Sequence, residues 1–255
     1  METLVVGAGA MGRWFGTALV EDGPPSTSVT FLDRNQATAE DAARAVGGEA
    51  VAPGAAPTVD LVCVAVPIPA ATGAIERYAD HAEAAIVDLT GTMAGPLAAM
   101  EVAAPESERA SFHPLFAPAN EPGNVPAVVD EGGPTVDAAV AALRARGNDV
   151  FETTANRHDE LMETVQARTH TAVLAFALAA APVPERYHTP VSAAMADLAA
   201  QVTDGDPRVY ADIQSAFDGA ADVAAAAAEI ADADSAEVER LYEEAAENTA
   251  AGGEQ

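Results

Sequence analysis

Over the first 154 residues the apolar positions fall in short dense runs, with segments of helical spacing between them. Leu4 to Val6, Val29 to Leu32, Asp60 to Val66, Ala84 to Leu89, Ala110 to Phe112, Val125 to Val129 and Asp149 to Phe151 predict strands. Asp60 to Val66 is apolar almost throughout, as a strand covered on both faces must be. Helices are predicted from the glycine-rich turn through Leu19 and over Thr135 to Arg146. This alternation predicts an α/β fold with a doubly wound sheet over residues 1–154. From 155 to 255 the pattern is wholly helical, so an all-α second domain is expected there. Asn156, with Asp159 three residues on, predicts an N-cap for a helix running to about Ala181, where Pro182 stops it. Further helices are expected after Pro190, from Asp206-Pro207 and from about Ser235, with a frayed tail from Asn248 to Gln255.

The first strand ends in Gly7-Ala8-Gly9-Ala10-Met11-Gly12. Strand, G-x-G-x-x-G and helix together predict a Rossmann-type dinucleotide site. The first glycine allows the tight turn, the second lets backbone approach a pyrophosphate, and the third lets helix pack on strand. Asp33 ends the second strand 21 residues after Gly12. A carboxylate there suits the ribose hydroxyls of NAD and repels the extra phosphate of NADP. Arg34 beside it keeps NADP open, since it can take that phosphate or lie on the adenine.

Composition narrows the partners. The net charge is −28, with 40 acidic residues against 12 basic ones, and every basic residue is arginine. Such a lysine-free, alanine-rich acidic chain resembles the proteins of salt-loving archaea, whose surfaces stay hydrated in concentrated salt. The same surface repels a phosphate backbone, so nucleic acid is not an expected partner. Cys63 is the only cysteine, which rules out an intrachain disulfide and a cysteine metal cluster. The longest uncharged apolar-rich run, Thr171 to Val183, is too short to span a bilayer, and the amino-terminal residues lead straight into a strand. A cytoplasmic protein with no membrane partner is expected.

Two stretches carry candidate chemistry. In Phe112-His113-Pro114-Leu115-Phe116-Ala117-Pro118 a histidine sits where the sheet's carboxyl edge is expected, stiffened by two prolines. On the long helix Met162, Gln166 and His170 are spaced by four, with Thr169 three after Gln166, so the spacing predicts one shared face. A polar stripe on an otherwise apolar helix needs partners if it is buried.

Several motifs fall in order and register. They are Gly7-x-Gly9-x-x-Gly12-Arg13, Val66-Pro67-Ile68, Asp88-Leu89 with Gly95-Pro96-Leu97-x-x-Met100, and His113-Pro114-Leu115-Phe116-x-Pro118. His158-Asp159-x-x-Met162-x-x-x-Gln166-Ala167-x-x-His170 and Tyr210-Ala211-Asp212-Ile213 follow. Over roughly residues 3 to 217 the chain resembles the prephenate/arogenate dehydrogenases of tyrosine biosynthesis. The resemblance implies an N-terminal nucleotide-binding domain and a helical C-terminal domain that builds a homodimer. It also implies NAD-dependent oxidative decarboxylation of a small cyclohexadienol, with His113 as the base and no metal. Gly7, Gly9, Met11, Gly12, Asp33, Arg34 and Pro67 would hold the cofactor; Gln166, Thr169 and His170 would face the substrate.

The chain departs from the family pattern at three places. Gly91-Thr92-Met93 stands where the family has Ser-Val-Lys, leaving Thr90 or Thr92 to supply a substitute hydroxyl, and Thr92 is taken as the substrate-facing one. Ala117 replaces a glycine. Gln201 occupies the register of the substrate-carboxylate arginine, so Arg186 is the first expected substitute, with Arg157 or Arg208 behind it. Two other readings stay open: another NAD(P)-dependent β-hydroxyacid-type dehydrogenase, though a lysine-free chain lacks the lysine those enzymes rely on, and a catalytically silent nucleotide-binding regulatory module.

Overall fold

The computed structural model describes residues 1–251, which divide into two compact units, one of Met1–Leu161 and one from Met162 onward. The division leaves His158 and Asp159 in the first unit. Of the predicted frayed tail, the part up to Ala251 is helical, and residues 252–255 lie outside the described residues.

The first unit is built on eight strands: β1 (Glu2–Val6), β2 (Ser28–Leu32), β3 (Glu49–Val51), β4 (Val59–Val64), β5 (Ala82–Asp88), β6 (Glu108–Phe112), β7 (Asn124–Glu131) and β8 (Asp149–Glu152). They form one sheet in the order β3-β2-β1-β4-β5-β6-β7-β8. Six helices accompany it: α1 (Ala10–Asp22), α2 (Gln36–Val46), α3 (Ala71–Tyr78), α4 (Ala94–Ala103), α5 (Pro134–Ala145) and α6 (Ala155–Met162). The side-chain alternation of a strand sorts the core into two layers. Val5, Leu61, Cys63, Val87 and Phe112 face the layer that holds Phe15 of α1 and Leu143 of α5. Leu4, Val62, Val64 and Ile86 face the layer of Ile75 and Met100. With both faces covered, the central strands lack the alternation of a half-exposed sheet and read as continuous apolar runs.

Two features were not legible in the apolar pattern. The edge strand β3 is three residues long and carries no apolar run. Strand β7 pairs antiparallel with β6, against the parallel direction of all the other pairs. That reversal matters for the site. The His113 N–H donates to the Pro126 carbonyl at 3.1 Å and the Leu115 N–H to the Asn124 carbonyl at 3.0 Å. The His-Pro stretch is therefore laid along β7, continuing the ladder past the end of β6.

Helix ends follow local chemistry. Asn35 caps α2 by accepting from the Ala37 N–H, and Gly47 closes it in the left-handed conformation. Helix α6 begins at Ala155, with the Thr154 hydroxyl accepting from the Arg157 N–H. The cap expected from Asn156 and Asp159 is thus made by Thr154, and the Asp159 carboxylate is used elsewhere.

The second unit holds a π-helical turn (Glu163–Arg168) and the helices α7 (Thr169–Ala179), α8 (Pro190–Thr203), α9 (Pro207–Ala216), α10 (Ala220–Asp232) and α11 (Ser235–Ala251). Asp206 and Pro207 open α9 in the predicted cap and first-turn order. Thr189 and Ser192 form a capping box on α8.

Gly7 has φ +100°, and a Cβ there would sit 2.3 Å from the Ala65 carbonyl oxygen. We expect Gly7→Ala to lower unfolding stability by about 1–3 kcal/mol from backbone strain alone. Denaturant titration checks this, and an unchanged midpoint would show that the turn relaxes freely.

Candidate active site

The glycine turn shapes the nucleotide end of the first unit. A Cβ on Gly12 would lie 2.0 Å from the Gly7 carbonyl oxygen, so the first and third glycines are required by close packing. Nothing lies within 4 Å of the Cβ position of Gly9, which faces open space. The first amides of α1 have no side-chain cap, which leaves them to a ligand. At the end of β2 the Asp33 carboxylate accepts from the Ala8 N–H at 3.0 Å and the Asn35 N–H at 2.9 Å. Its orientation is fixed before any ribose arrives. Arg34 is exposed, Met11 is partly buried against the core, and Pro67 follows β4 at the same edge of the sheet. A cleft of about 440 Å³ opens beside the first turn of α1, lined by Arg13, Trp14, Pro118, Glu121 and Arg146.

The cleft wall holds the loop that follows His113. Phe116 packs edge-on against Trp14, with ring centroids 5.5 Å apart. Glu121 takes hydrogen bonds from the Trp14 indole, the Asn148 amide and the Arg146 guanidinium. Burial works to raise the Glu121 carboxyl, but those bonds and the Arg146 charge hold it below the usual carboxylate range. Arg146 also reaches Glu21 and Asp22 of α1. The loop carrying the candidate base is thus pinned to the helix that would seat the nucleotide.

His113 itself is buried, and it belongs to a line that includes two more side chains. Its Nδ1 lies 2.9 Å from the His158 Nε2, and the His158 Nδ1 lies 2.8 Å from Asp159 Oδ1. The Asp159 carboxylate accepts from the Met93 N–H at 2.9 Å and the Ala94 N–H at 3.1 Å, at the start of α4. A carboxylate at a helix N-terminus is stabilised by about 0.3–1 kcal/mol, and more when partly buried. Burial would raise the Asp159 carboxyl, yet His158 and the two amides hold it below the usual range.

An ionised Asp159 only accepts, so it fixes the protons of the line. His158 must carry a hydrogen on Nδ1, and as a neutral ring it presents Nε2 as an acceptor. His113 must then carry its hydrogen on Nδ1, and its Nε2 becomes the acceptor at the far end. That Nε2 lies 3.7 Å from the Cβ position of Gly91. Burial, and next the neighbouring His158, push the His113 pKa down to about 3, against a smaller opposing pull from Asp159. The ring is therefore neutral at physiological pH. His158 and Asp159 were visible as an adjacent pair in the sequence, but nothing in helical spacing shows that one of them serves the other's ring.

Thr92 is half-buried on the same loop, and its carbonyl accepts from the Thr90 hydroxyl. Asp88, wholly buried at the end of β5, binds Thr90 through both its N–H and its hydroxyl. Sequence reasoning placed Asp88 within a motif and gave it no task.

The predicted residues of the second unit are placed as follows. Gln166 lies in the π-helical turn and His170 one turn on in α7. The His170 ring meets Tyr210 edge-on at 4.8 Å, its Nδ1 is buried without a hydrogen-bond partner, and burial lowers its pKa. Thr169 is exposed and its hydroxyl donates to the Thr164 carbonyl. The wider π turn breaks the regular spacing assumed for a shared face. Arg186 is exposed in a short 3-10 turn, 5.3 Å over the Tyr187 ring, and makes no ion pair among the described residues. Arg157 and Arg208 are paired with Glu160 and Asp206. No helix among the described residues is long and apolar enough to cross a membrane.

Both the sequence and the fold have relatives among known proteins. The family model described as "NADP oxidoreductase coenzyme F420-dependent" matches residues 3–92. A 4-amino-4-deoxyprephenate dehydrogenase from Streptomyces pristinaespiralis is 37% identical over 232 residues, covering 85% of this chain and 77% of that protein. Among solved structures, prephenate dehydrogenase from Aquifex aeolicus, in complex with hydroxyphenyl propionate and NAD+, matches with a TM-score of 0.71 at 14% identity. That match covers 98% of this chain and 97% of the other. Synechocystis arogenate dehydrogenase matches with a TM-score of 0.61 at 18% identity, over 98% and 99% of the two chains. At these identities the structures establish the fold, while the curated relative establishes kinship: the chain belongs to the prephenate/arogenate dehydrogenase family.

Proposed function

We propose that this chain catalyses the NAD-dependent oxidative decarboxylation of prephenate or arogenate, giving 4-hydroxyphenylpyruvate or tyrosine. The observation that carries the reading is the Asp159–His158–His113 line, which ends in a neutral imidazole with Nε2 as its acceptor. The open Gly9, the uncapped amides of α1 and the fixed Asp33 fit a dinucleotide with a free ribose diol. When bound, NAD supplies the acceptor for the hydride that leaves the ring carbon. His113 Nε2 would take the proton of the hydroxyl borne by that carbon as the hydride leaves, and return it to the phenolate oxygen once carbon dioxide has departed and the ring is aromatic. The new positive charge on His113 faces His158, and behind it the Asp159 carboxylate. Asp159 thereby orients both rings and stabilises the imidazolium, as a buried carboxylate does behind a catalytic histidine.

For the rest of the site, Gln166, Thr169, His170 and Thr92 are proposed to face the substrate, and Arg186 to hold one of its carboxylates. Among the described residues Arg186 has no carboxylate partner, unlike Arg157 and Arg208. A homodimer through the helical unit is part of the reading, supported by apolar side chains such as Leu178, Val191 and Tyr187 left exposed there. Adaptation to high salt, supported by the charge of −28, is part of the reading, as is a cytoplasmic location.

A second reading concerns the substrate's ring substituent. The 37% identical relative is named for 4-amino-4-deoxyprephenate, which bears an amino group where prephenate bears its hydroxyl. Gly91 presents no hydroxyl beside His113 Nε2, so the position accommodates either group.

NADH formation in molar potassium chloride, with each of the three substrates offered with NAD or NADP, tests both readings. Turnover with none of them would leave the silent module or another NAD(P)-dependent dehydrogenase. Asp159→Asn is expected to lower kcat by about 100- to 10,000-fold with KM for NAD unchanged, because an amide no longer dictates the tautomer. Since His113 titrates far below neutrality, kcat/KM is expected to show no break near pH 6.5 on the acid side. A break there would mean that the imidazole is not shielded as described. Asp33→Ala should relax the preference for NAD, and an unchanged NAD:NADP ratio would remove the ribose assignment.

A further inference from the structure

Asp88 is the only acidic side chain in the buried class among the described residues, and no arginine or histidine pairs with it. It closes β5 between two buried neighbours. In register it stands beside Val64 of β4 and Ser111 of β6. Its Oδ1 and the Ser111 hydroxyl are both fully buried without a well-aligned hydrogen-bond partner. Its Oδ2 accepts from the Thr90 N–H at 2.8 Å and contacts the Thr90 hydroxyl. The same hydroxyl lies 3.0 Å from the Thr92 carbonyl oxygen.

The count of hydrogens decides between two states. Thr90 Oγ1 has one hydrogen and two acceptors within reach. If Asp88 is ionised, that hydrogen serves either the carboxylate or the Thr92 carbonyl, and one contact is empty. If Asp88 is protonated, its O–H donates to Thr90 Oγ1, and Thr90 donates onward to Thr92. Both contacts are then made. The next two residues after Thr92 supply the amides that hold Asp159.

We propose that Asp88 works as a neutral carboxyl and is a positioning residue for His113. Its proton locks Thr90 to the Thr92 carbonyl, which keeps the Met93 and Ala94 amides on Asp159 and so holds the two histidines in their catalytic tautomers. The idea deepens the dehydrogenase reading and depends on it for its kinetic readout. Burial is the main reason the carboxyl holds its proton, pushing it up to about 7 against the bonds from Thr90 and the smaller opposing pull of the nearby, imperfectly aligned Ser111 hydroxyl. The polar groups near it are Thr90 on its own loop, Ser111 from β6, and Asp159 from α6 with the two histidines behind it, while Cys63 of β4 points to the opposite face of the sheet. Of these Asp159 bears a charge and repels a second one. Burial, then the Asp88 charge, also raises the Cys63 thiol, which stays neutral.

The lock is whole below neutral pH and is lost as pH rises through the Asp88 titration. Wild-type kcat should fall about tenfold per pH unit above that point. In Asp88→Asn the side chain is permanently neutral, though its amide nitrogen can donate to the Thr90 hydroxyl only by giving up the bond from the Thr90 N–H. Whatever its level at pH 6, kcat of this variant should therefore stay flat from pH 6 to pH 9, without the alkaline limb of wild type. Thr90→Val should lower kcat across the whole range, with Thr90→Ser restoring it. Infrared spectra of the folded protein should show a protonated carboxyl band at pH 6 that vanishes in Asp88→Asn. An unchanged alkaline limb in Asp88→Asn, or absence of that band at pH 6, overturns the proposal. If Asp88→Asn does not fold, the infrared titration of wild type and the Thr90 pair still decide it. If wild type forms no NADH with any substrate, the dehydrogenase reading fails instead, and the band alone decides the state of Asp88.

Discussion

A single carboxylate, Asp159, sets the chemistry of the first unit. Two amides at the head of α4 hold it, and it holds His158, which holds His113. Take away the charge and each ring gains a second acceptable tautomer, and the acceptor at His113 Nε2 is no longer dictated. The sheet exists, for this purpose, to bring the ends of β5 and β6 side by side, while β7 runs backward to hold His113 along its flank. A histidine of ordinary pKa would be partly protonated near neutrality and useless as a base in that fraction. Burial removes that fraction here, and in the proposed reaction the charge formed on His113 faces His158 and, behind it, Asp159.

Much of this architecture could be read from the chain. The glycine fingerprint, its following helix and Asp33 are local signals, since each depends on residues close in sequence. The strands of the sheet interior declared themselves as apolar runs because both faces are covered. His113 was identifiable because prolines and aromatics bracket it. What stayed hidden depends on distant residues meeting. Asp159 has the spacing of a cap residue, yet its partners are 65 and 66 residues away. Asp88 looks like an ordinary strand-end acid until its burial and its contact with Thr90 are known. The reversal of β7 and the π turn before Thr169 leave no mark in hydrophobic periodicity, because neither changes which residues are apolar.

The acidic composition shapes the remaining surface. Of 12 arginines, several are committed to carboxylates, and Arg146 alone meets Glu21, Asp22 and Glu121. The exposed pairs among them, such as Arg44 with Asp41 and Arg208 with Asp206, each contribute little to stability. Their interest is functional: they take cations out of circulation in a chain that needs at least one to hold an anionic substrate. Arg186 is one of the arginines without an ion pair among the described residues, with Arg13, Arg34, Arg77 and Arg144, and burial pushes the Asp88 carboxyl up to about 7.

The protonation pattern is open to direct observation. Nitrogen-15 NMR of the histidine side chains in the folded protein reports, ring by ring, which nitrogen bears hydrogen. The account predicts that His113 and His158 both carry it on Nδ1, and that His113 shows no titration between pH 5 and 8. A His113 ring protonated on Nε2, or one that titrates near pH 6.5, would contradict it.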